Sequence, residues 1–297
     1  MAADFRSGFV SIIGRPNVGK STLLNRILGQ KIAITSRKPQ TTRNRILGVH
    51  NFTNGQALFV DTPGIHQART KLNQFMLDQA LNACSDGDII LYLVAATDFG
   101  KVEDGPFLQR FRQQKTPVIL IINKIDLLKP EQLLAQIREY DATFPFRHII
   151  PLSAKTGSGV EQLLQSIEQD LPAGPPYYPE DVLTDQPERF VVAELVREKV
   201  MRRSGAEVPY GVAVQVETFE EKRDRALVAI RACIHVEREG QKKIIIGKGG
   251  RMIKQIGRDA RLEIEKLLGI KVFLELFVRV DKDWSQSERM LRELGYS

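Results

Sequence analysis

Between Phe9 and Asp170 the chain alternates short apolar runs with longer stretches whose apolar residues recur every three or four positions. The runs Phe9–Ile13, Ala57–Val60, Ile89–Val94, Val118–Ile122 and Ile149–Leu152 are rich in β-branched residues and read as strands. Lys20–Leu28, Lys71–Cys84, Glu103–Gln113, Glu131–Tyr140 and Val160–Asp170 carry helical periodicity. Strands apolar on both faces and separated by helices predict an α/β domain, residues 1–173, with a mostly parallel sheet covered on both sides.

The rhythm then breaks. Pro172, Pro175, Pro176, Pro179 and Pro187 fall close together, with Gly174 and the pair Tyr177–Tyr178. Proline fixes φ and removes a donor, so residues 174–187 are expected to be a linker or an extended strap. Beyond it, residues 188–297 form a second domain with another pattern. Phe190–Met201 is helix-like, and Val212, Val214 and Val216 alternate with Ala213, Gln215 and Glu217 as in a half-exposed strand. Val228–Val236 is a second strand. A helix from Arg251 to Leu268 closes at Gly269, and Val272, Leu274, Leu276, Val278 and Val280 alternate along a third strand. Helices on one face of a small sheet make this domain α+β.

Composition adds little to the architecture and something to the chemistry. Of 297 residues, 42% are hydrophobic and 27% charged, a globular balance, and the net charge is +7. A basic chain favours polyanions, nucleic acid or an anionic membrane. From Val182 on there are 23 basic residues against 19 acidic ones, so the excess is shared between the halves and does not locate a site. Two distant cysteines, Cys84 and Cys233, argue against a disulfide framework or a zinc site. No apolar run approaches a bilayer span and the first residues lack a signal-peptide core, so a soluble chain is expected.

The first chemical signal follows the first strand. Gly14-Arg15-Pro16-Asn17-Val18-Gly19-Lys20-Ser21 fits GxxxxGK[ST] and opens a helix, the context this phosphate-binding loop requires. Gly14 and Gly19 let backbone N–H groups face phosphate oxygens, helped by the helix N-terminus. Lys20 reaches the outer phosphates and Ser21 supplies a hydroxyl to Mg²⁺, with Asn17, Val18 and Thr22 completing the loop's contact set. Asn123-Lys124-Ile125-Asp126 ends a strand where such sheets bind ligands. The Asp126 carboxylate can accept from guanine N1–H and its exocyclic amine, which adenine cannot offer. Asn123 is expected at the base edge and Lys124 over its face. Asp61-Thr62-Pro63-Gly64 suits a water-linked Mg²⁺ carboxylate at Asp61 and a γ-phosphate-sensing N–H at Gly64. Ser153-Ala154-Lys155 follows the last strand, where N–H groups could meet guanine O6.

In this order the motifs resemble the translation-factor-related small GTPases. The resemblance implies that Pro39-Gln40-Thr41-Thr42-Arg43 is the first switch loop, with Thr42, or alternatively Thr41, on Mg²⁺. One departure matters: Ile65 stands where Ras-like enzymes have the water-orienting glutamine. The sequence is similar there to the subgroup in which a loop asparagine, matching Asn17, helps hold a potassium ion. Expected catalytic contributions therefore come from Lys20, Asn17, Thr42 and Gly64.

A second signal lies far downstream. Ile244-Ile245-Ile246-Gly247-Lys248-Gly249-Gly250-Arg251-Met252-Ile253-Lys254-Gln255-Ile256 fits the KH signature IGxxGxxIxxI, whose GXXG loop admits nucleic-acid backbone. Lys242, Lys243, Lys248, Arg251, Lys254, Arg258 and Arg261 cluster here against Asp259 alone, a local basic patch. Ile246, Gly247, Lys248, Gly249, Gly250, Arg251 and Lys254 are the candidate RNA contacts. Propensity makes Lys242–Ile246 a strand, whereas the KH resemblance makes it a short helix of a type II KH domain.

A GTPase domain followed by a KH domain resembles the bacterial Era family, as do Arg197-Glu198-Lys199, the run Gly205–Tyr210 and the end Leu291–Tyr296. The resemblance implies slow, K⁺-stimulated GTP hydrolysis with Mg²⁺. It implies binding to the single-stranded 3′ end of small-subunit ribosomal RNA within the pre-30S particle, and not to DNA. A cytoplasmic monomer with at most weak peripheral membrane association is expected. The competing reading is an RNA-binding module whose nucleotide stabilises the fold without meaningful turnover.

Overall fold

A computed structural model describes residues 5–36, 38, 40–64, 70–100, 105–205, 208–222 and 226–296. The chain divides into two compact units. The first contains residues 1–30, 42–66 and 76–185, and the second residues 31–41, 67–75 and 186–297.

The first unit is built on β1 (Arg6–Gly14), β2 (Ile46–Phe52), β3 (Gly55–Asp61), β4 (Ile89–Ala95), β5 (Val118–Asn123) and β6 (His148–Leu152). They form one sheet in the order β2-β3-β1-β4-β5-β6, parallel except for the β2–β3 hairpin. β3 and β4 are buried along their whole length, as their unbroken apolar runs predict. The helices are α1 (Lys20–Leu28), α2 (Lys71–Asp86), α3 (Gly105–Phe111), α4 (Pro130–Asp141) and α5 (Val160–Asp170). One core on this sheet gathers Ile13, Tyr92, Leu120 and Ile122 from the strands with Phe107, Phe111 and Tyr140 from the helices. Each such side chain taken from water contributes about 1.5–3 kcal/mol. The strand order reverses between β1 and β4, both parallel to their neighbours, and the loop after β1 emerges at that switch point.

The sequence pattern missed β2. Ile46–Phe52 reads Ile-Leu-Gly-Val-His-Asn-Phe, and Gly48 with polar His50 and Asn51 hides a strand whose register is set by hairpin pairing with β3. The proline segment is a strap on this unit. Ser7 N–H donates to the Pro172 carbonyl at 3.0 Å, Val49 N–H to Leu183 at 2.8 Å, and the Gln56 amide to Tyr178 at 2.8 Å. Residues to Asp185 therefore belong to the first unit, although prolines interrupt any regular ladder.

The second unit contains α6 (Glu188–Arg203), β7 (Val212–Lys222), β8 (Leu227–Val236), α7 (Glu239–Ile246), α8 (Arg251–Leu268), β9 (Lys271–Val280) and α9 (Glu288–Glu293). Its sheet runs β7-β8-β9, with β7–β8 antiparallel and β8–β9 parallel. The βααβ order of β8-α7-α8-β9, preceded by α6 and β7, is the KH arrangement. Lys242–Ile246 lies in α7, so helix prevails over strand propensity because Ile245 faces the core while Ile244 faces out. α8 ends at Gly269 in the left-handed region, φ 67°, where its N–H caps Glu265. Trp284 is fully buried, donates to the Gly211 carbonyl at 3.0 Å and stacks on Tyr296, which anchors the C-terminal segment. Among the described residues no helix is long and apolar enough to cross a membrane.

Candidate functional site

The phosphate loop is shaped by contacts that only glycine permits. A Cβ on Gly14 would lie 2.4 Å from the Leu93 carbonyl, and one on Gly64 would lie 2.7–2.9 Å from Pro16. Asn17 adopts φ 63°, a left-handed conformation asparagine tolerates. Lys20 is buried and donates to the Gly14 and Arg15 carbonyls, both at 3.1 Å. Burial pushes its pKa down to about 8, while nearby Asp61 acts the other way. Its charge is thus held at a cost until anionic oxygens arrive.

Three oxygen-bearing side chains converge beside it. The Ser21 hydroxyl donates to Asp61 Oδ2 at 2.6 Å, and Thr42 Oγ1 lies 2.8 Å from Ser21 Oγ and 3.3 Å from Asp61 Oδ2. Asp61 is fully buried, its Oδ1 lacks a hydrogen-bond partner among the described residues, and burial raises its pKa against the pull of Lys20. A buried carboxylate oxygen without a proton donor, next to two hydroxyls, suits a hard divalent cation with oxygen ligands. The Thr41 hydroxyl instead donates to the Lys38 carbonyl at 2.7 Å, within its own loop. Ile65 and Pro39 lie outside the described residues.

The base side is held by one asparagine. The Asn123 amide donates to the Val18 carbonyl at 2.7 Å, and its Oδ1 accepts from the N–H groups of Lys124 at 2.8 Å and Ala154 at 3.0 Å. It ties three loops together and keeps one amide hydrogen for a base edge. Asp126 is exposed, and its Oδ1 accepts from the Ser153 hydroxyl at 2.6 Å. That bond orients the carboxylate, a role sequence reasoning did not give Ser153. The expected O6 contacts are narrowed. Ser153 N–H donates to Ser158 and Ala154 N–H to Asn123, because the loop's tight turn uses them. Sequence reasoning also missed Arg26, whose guanidinium donates to the carbonyls of Ala154 and Lys155 and so holds this loop from α1. A basic residue in a helix's last turn gave no distinguishing signal.

In the second unit the glycines of the GXXG loop divide by role. A Cβ on Gly247 would meet Met252 Cβ at 2.7 Å, so Gly247 is needed for packing. Gly249, at φ 61°, and Gly250, at φ 74°, have nothing within 4 Å of such a Cβ. They present open backbone at the N-terminus of α8. Lys248, Arg251, Lys254 and Arg258 are exposed, and Ile246 is half-buried beside them. Asp259, the acidic exception, pairs with Arg203.

Known proteins bear on both sites. Residues 9–124 match the family model described as "50S ribosome-binding GTPase", and residues 207–285 the model described as "KH domain". The chain is 59% identical to "GTPase Era" of Geotalea uraniireducens over 99% of its own length and 98% of that protein. It superposes with TM-score 0.94 and 41% identity on a crystal structure of Era in complex with MgGDPNP and nucleotides 1506–1542 of 16S ribosomal RNA, covering 99% of both chains. It superposes with TM-score 0.95 and 40% identity on a point variant of Aquifex aeolicus Era bound to GDP·AlF4⁻, covering 99% of this chain and 100% of that one.

Proposed function

The chain belongs to the Era family of GTPases, and from that membership we propose a GTP-driven switch that binds the single-stranded 3′ end of 16S ribosomal RNA and assists small-subunit assembly. GTP hydrolysis is the activity of the family. In this reading Ser21 and Thr42 ligate Mg²⁺ directly and Asp61 does so through a water, which neutralises charge between the phosphates. Lys20 and the N–H groups of residues 14–22 cradle the phosphates, Gly64 N–H meets the γ-phosphate, and Asp126, set by Ser153, selects guanine. Asn17 would help hold a K⁺ ion that adds positive charge beside the phosphates, in a site where Ile65 cannot orient the attacking water.

The observation that carries the RNA half is the open GXXG backbone. Gly249 and Gly250 leave space on a basic, exposed helix N-terminus, in a chain whose relative was solved holding 16S nucleotides 1506–1542. The RNA assignment follows the KH unit. The place of action is the cytoplasm, where pre-30S particles form.

The test is equilibrium binding of the full-length chain to a single-stranded 16S 3′-end oligonucleotide, with GDP or a non-hydrolysable GTP analogue. Binding should be tighter with the analogue and collapse for Gly249→Asp. That variant should fold, because aspartate tolerates the left-handed region and meets no neighbour. Equal binding by the variant, or none by the parent chain, would refute the RNA assignment.

A further inference from the structure

The segment Lys31–Thr41 precedes Thr42 in sequence yet is grouped with the second unit. Its polar groups are anchored to α6 and to the residues just after it. Lys31 Nζ lies 2.7 Å from Glu198, Thr35 N–H donates to Glu198 at 2.9 Å, and Lys38 Nζ donates to the Ser204 and Gly205 carbonyls. Ile34 is buried in the core with Val196 and Val200. The last anchor is Arg197. Its side chain is fully buried, forks onto Glu194 at 2.7 and 2.6 Å, touches Met201 Sδ at 3.3 Å, and donates through Nη2 to the Thr41 carbonyl.

That carbonyl belongs to the peptide bond leading into Thr42, whose hydroxyl stands with Ser21 and Asp61. A planar peptide transmits the position of its oxygen to the next residue. A buried guanidinium is rigid because its fork is already occupied by a carboxylate, so it fixes the carbonyl in one place. Glu194 also answers the charge: burial works against the cation, Glu194 together with Tyr296 and Glu198 more than offsets it, and the pKa stays above the ordinary arginine value.

We propose that Arg197 is a positioning residue for GTP hydrolysis: from helix α6 of the second unit it holds the Thr41 carbonyl and thereby sets the Thr42 hydroxyl for the metal. The inference rests on the reading of Thr42 as a Mg²⁺ ligand. Glu194 serves the same end by orienting the guanidinium. A change in α6 therefore reaches the reaction through the metal ligand and not through nucleotide affinity.

The experiment uses the full chain and compares Arg197→Lys, Glu194→Gln and Thr42→Ala. Lysine keeps the charge but cannot bond Glu194 and the Thr41 carbonyl in one plane. In the nucleotide-free protein, hydrogen exchange of amides in residues 40–44 should rise about tenfold for Arg197→Lys, while β8 and β9 exchange as before. Single-turnover hydrolysis should fall by about tenfold, the Mg²⁺ concentration for half-maximal rate should rise, and GDP affinity should stay within about twofold. Glu194→Gln should do the same more weakly, and carries the test if Arg197→Lys does not fold. A merely structural role would lower the melting temperature without moving the Mg²⁺ dependence. If Thr42→Ala slows hydrolysis but the folded α6 variants show parental exchange and parental Mg²⁺ dependence, the inference is overturned while the ligand reading stands. If Thr42→Ala has no effect, the ligand reading itself fails.

Discussion

Gly19→Ala is the sharpest test of how the phosphate loop and the base site are joined. Gly19 sits at φ 108°, and a Cβ there would lie 2.2 Å from the Asn123 amide nitrogen. Two costs add. An L-residue held at that φ is strained by about 1–3 kcal/mol. Displacing the buried Asn123 amide from the Val18 carbonyl costs about 1–3 kcal/mol more. The stiffer unfolded chain opposes this; alanine recovers about 0.4–1 kcal/mol, leaving a net loss of about 1–6 kcal/mol. The displaced loop should also raise the GDP dissociation constant by about a hundredfold or more. The assay is urea unfolding of nucleotide-free protein followed by far-UV circular dichroism. The discriminating step is a double-mutant cycle. With Asn123→Ala as background, the amide is gone and Gly19→Ala should cost only the backbone part, a coupling of about 1–3 kcal/mol. Equal cost in both backgrounds would refute the contact as the cause, and parental GDP affinity would refute the loop geometry altogether.

Asp126→Asn should weaken GTP and favour xanthosine triphosphate, a specificity change of about 2–4 kcal/mol read by competition binding; unchanged preference would remove Asp126 from the base site. Lys20 titrates near 8 in the free protein, and phosphate oxygens raise that value. Nucleotide binding should therefore take up about 0.8 proton at pH 8.5 and none from this group at pH 6.5, measured by calorimetry in two buffers. By the same sign, the nucleotide-free fold loses stability as pH falls from 10.5 towards 8, because the unfolded lysine regains its proton before the folded one does. Replacing K⁺ by Na⁺, or Asn17 by Ala, should slow single-turnover hydrolysis more than it weakens GTP binding; equal rates in the two salts would exclude the ion. Lys248→Ala should flatten the salt dependence of RNA binding by about 0.7 in log–log slope, one phosphate contact.

Much of the nucleotide site was legible because each motif residue has a chemistry its neighbours cannot replace. Gly14, Gly19 and Gly64 all stand where a Cβ would strike backbone or a buried amide. Strand positions were equally plain wherever both faces are buried, as in β4 and β5, since burial there demands unbroken apolar runs. β2 escaped notice because Gly48, His50 and Asn51 interrupt its apolar run, and its register comes from a partner strand, not from its own periodicity. Ser153 escaped as the setter of Asp126 for another reason. Sequence reading assigned the loop's backbone to the base, and only folding shows which hydroxyl the carboxylate meets.

Arg197 and Glu194 show what no local pattern carries. Both sit in a helix whose interior is buried nearly all round, from Val191 to Met201, so its charged residues look like errors of composition until their partners appear. Arg197, Glu198 and Lys199 were visible only as a stretch shared with the family. Three consecutive ionisable residues, all buried, persist in a core only if each finds a partner, since an unpaired buried charge costs several kcal/mol. Glu198 finds Lys31, Lys199 and Arg202, and Arg197 finds Glu194 and the Thr41 carbonyl. Apolar residues at these positions would pack as well, so stability alone does not account for the charges. What they add is direction: a forked guanidinium and a shared carboxylate fix the backbone at Thr41 and at Thr35, where a greasy contact would let it slide. Arg203 to an apolar residue should therefore leave the segment held, because its partly exposed side chain bonds Asp259 and Gln255 of α8, whereas losing Glu198 should free it. Proteolysis of nucleotide-free protein measures the difference. Cleavage in residues 31–41 should accelerate for Glu198→Gln and not for Arg203→Met, whose side chain bonds α8 and not the segment; equal cleavage of the two variants would mean that the ionic hub does not hold the loop.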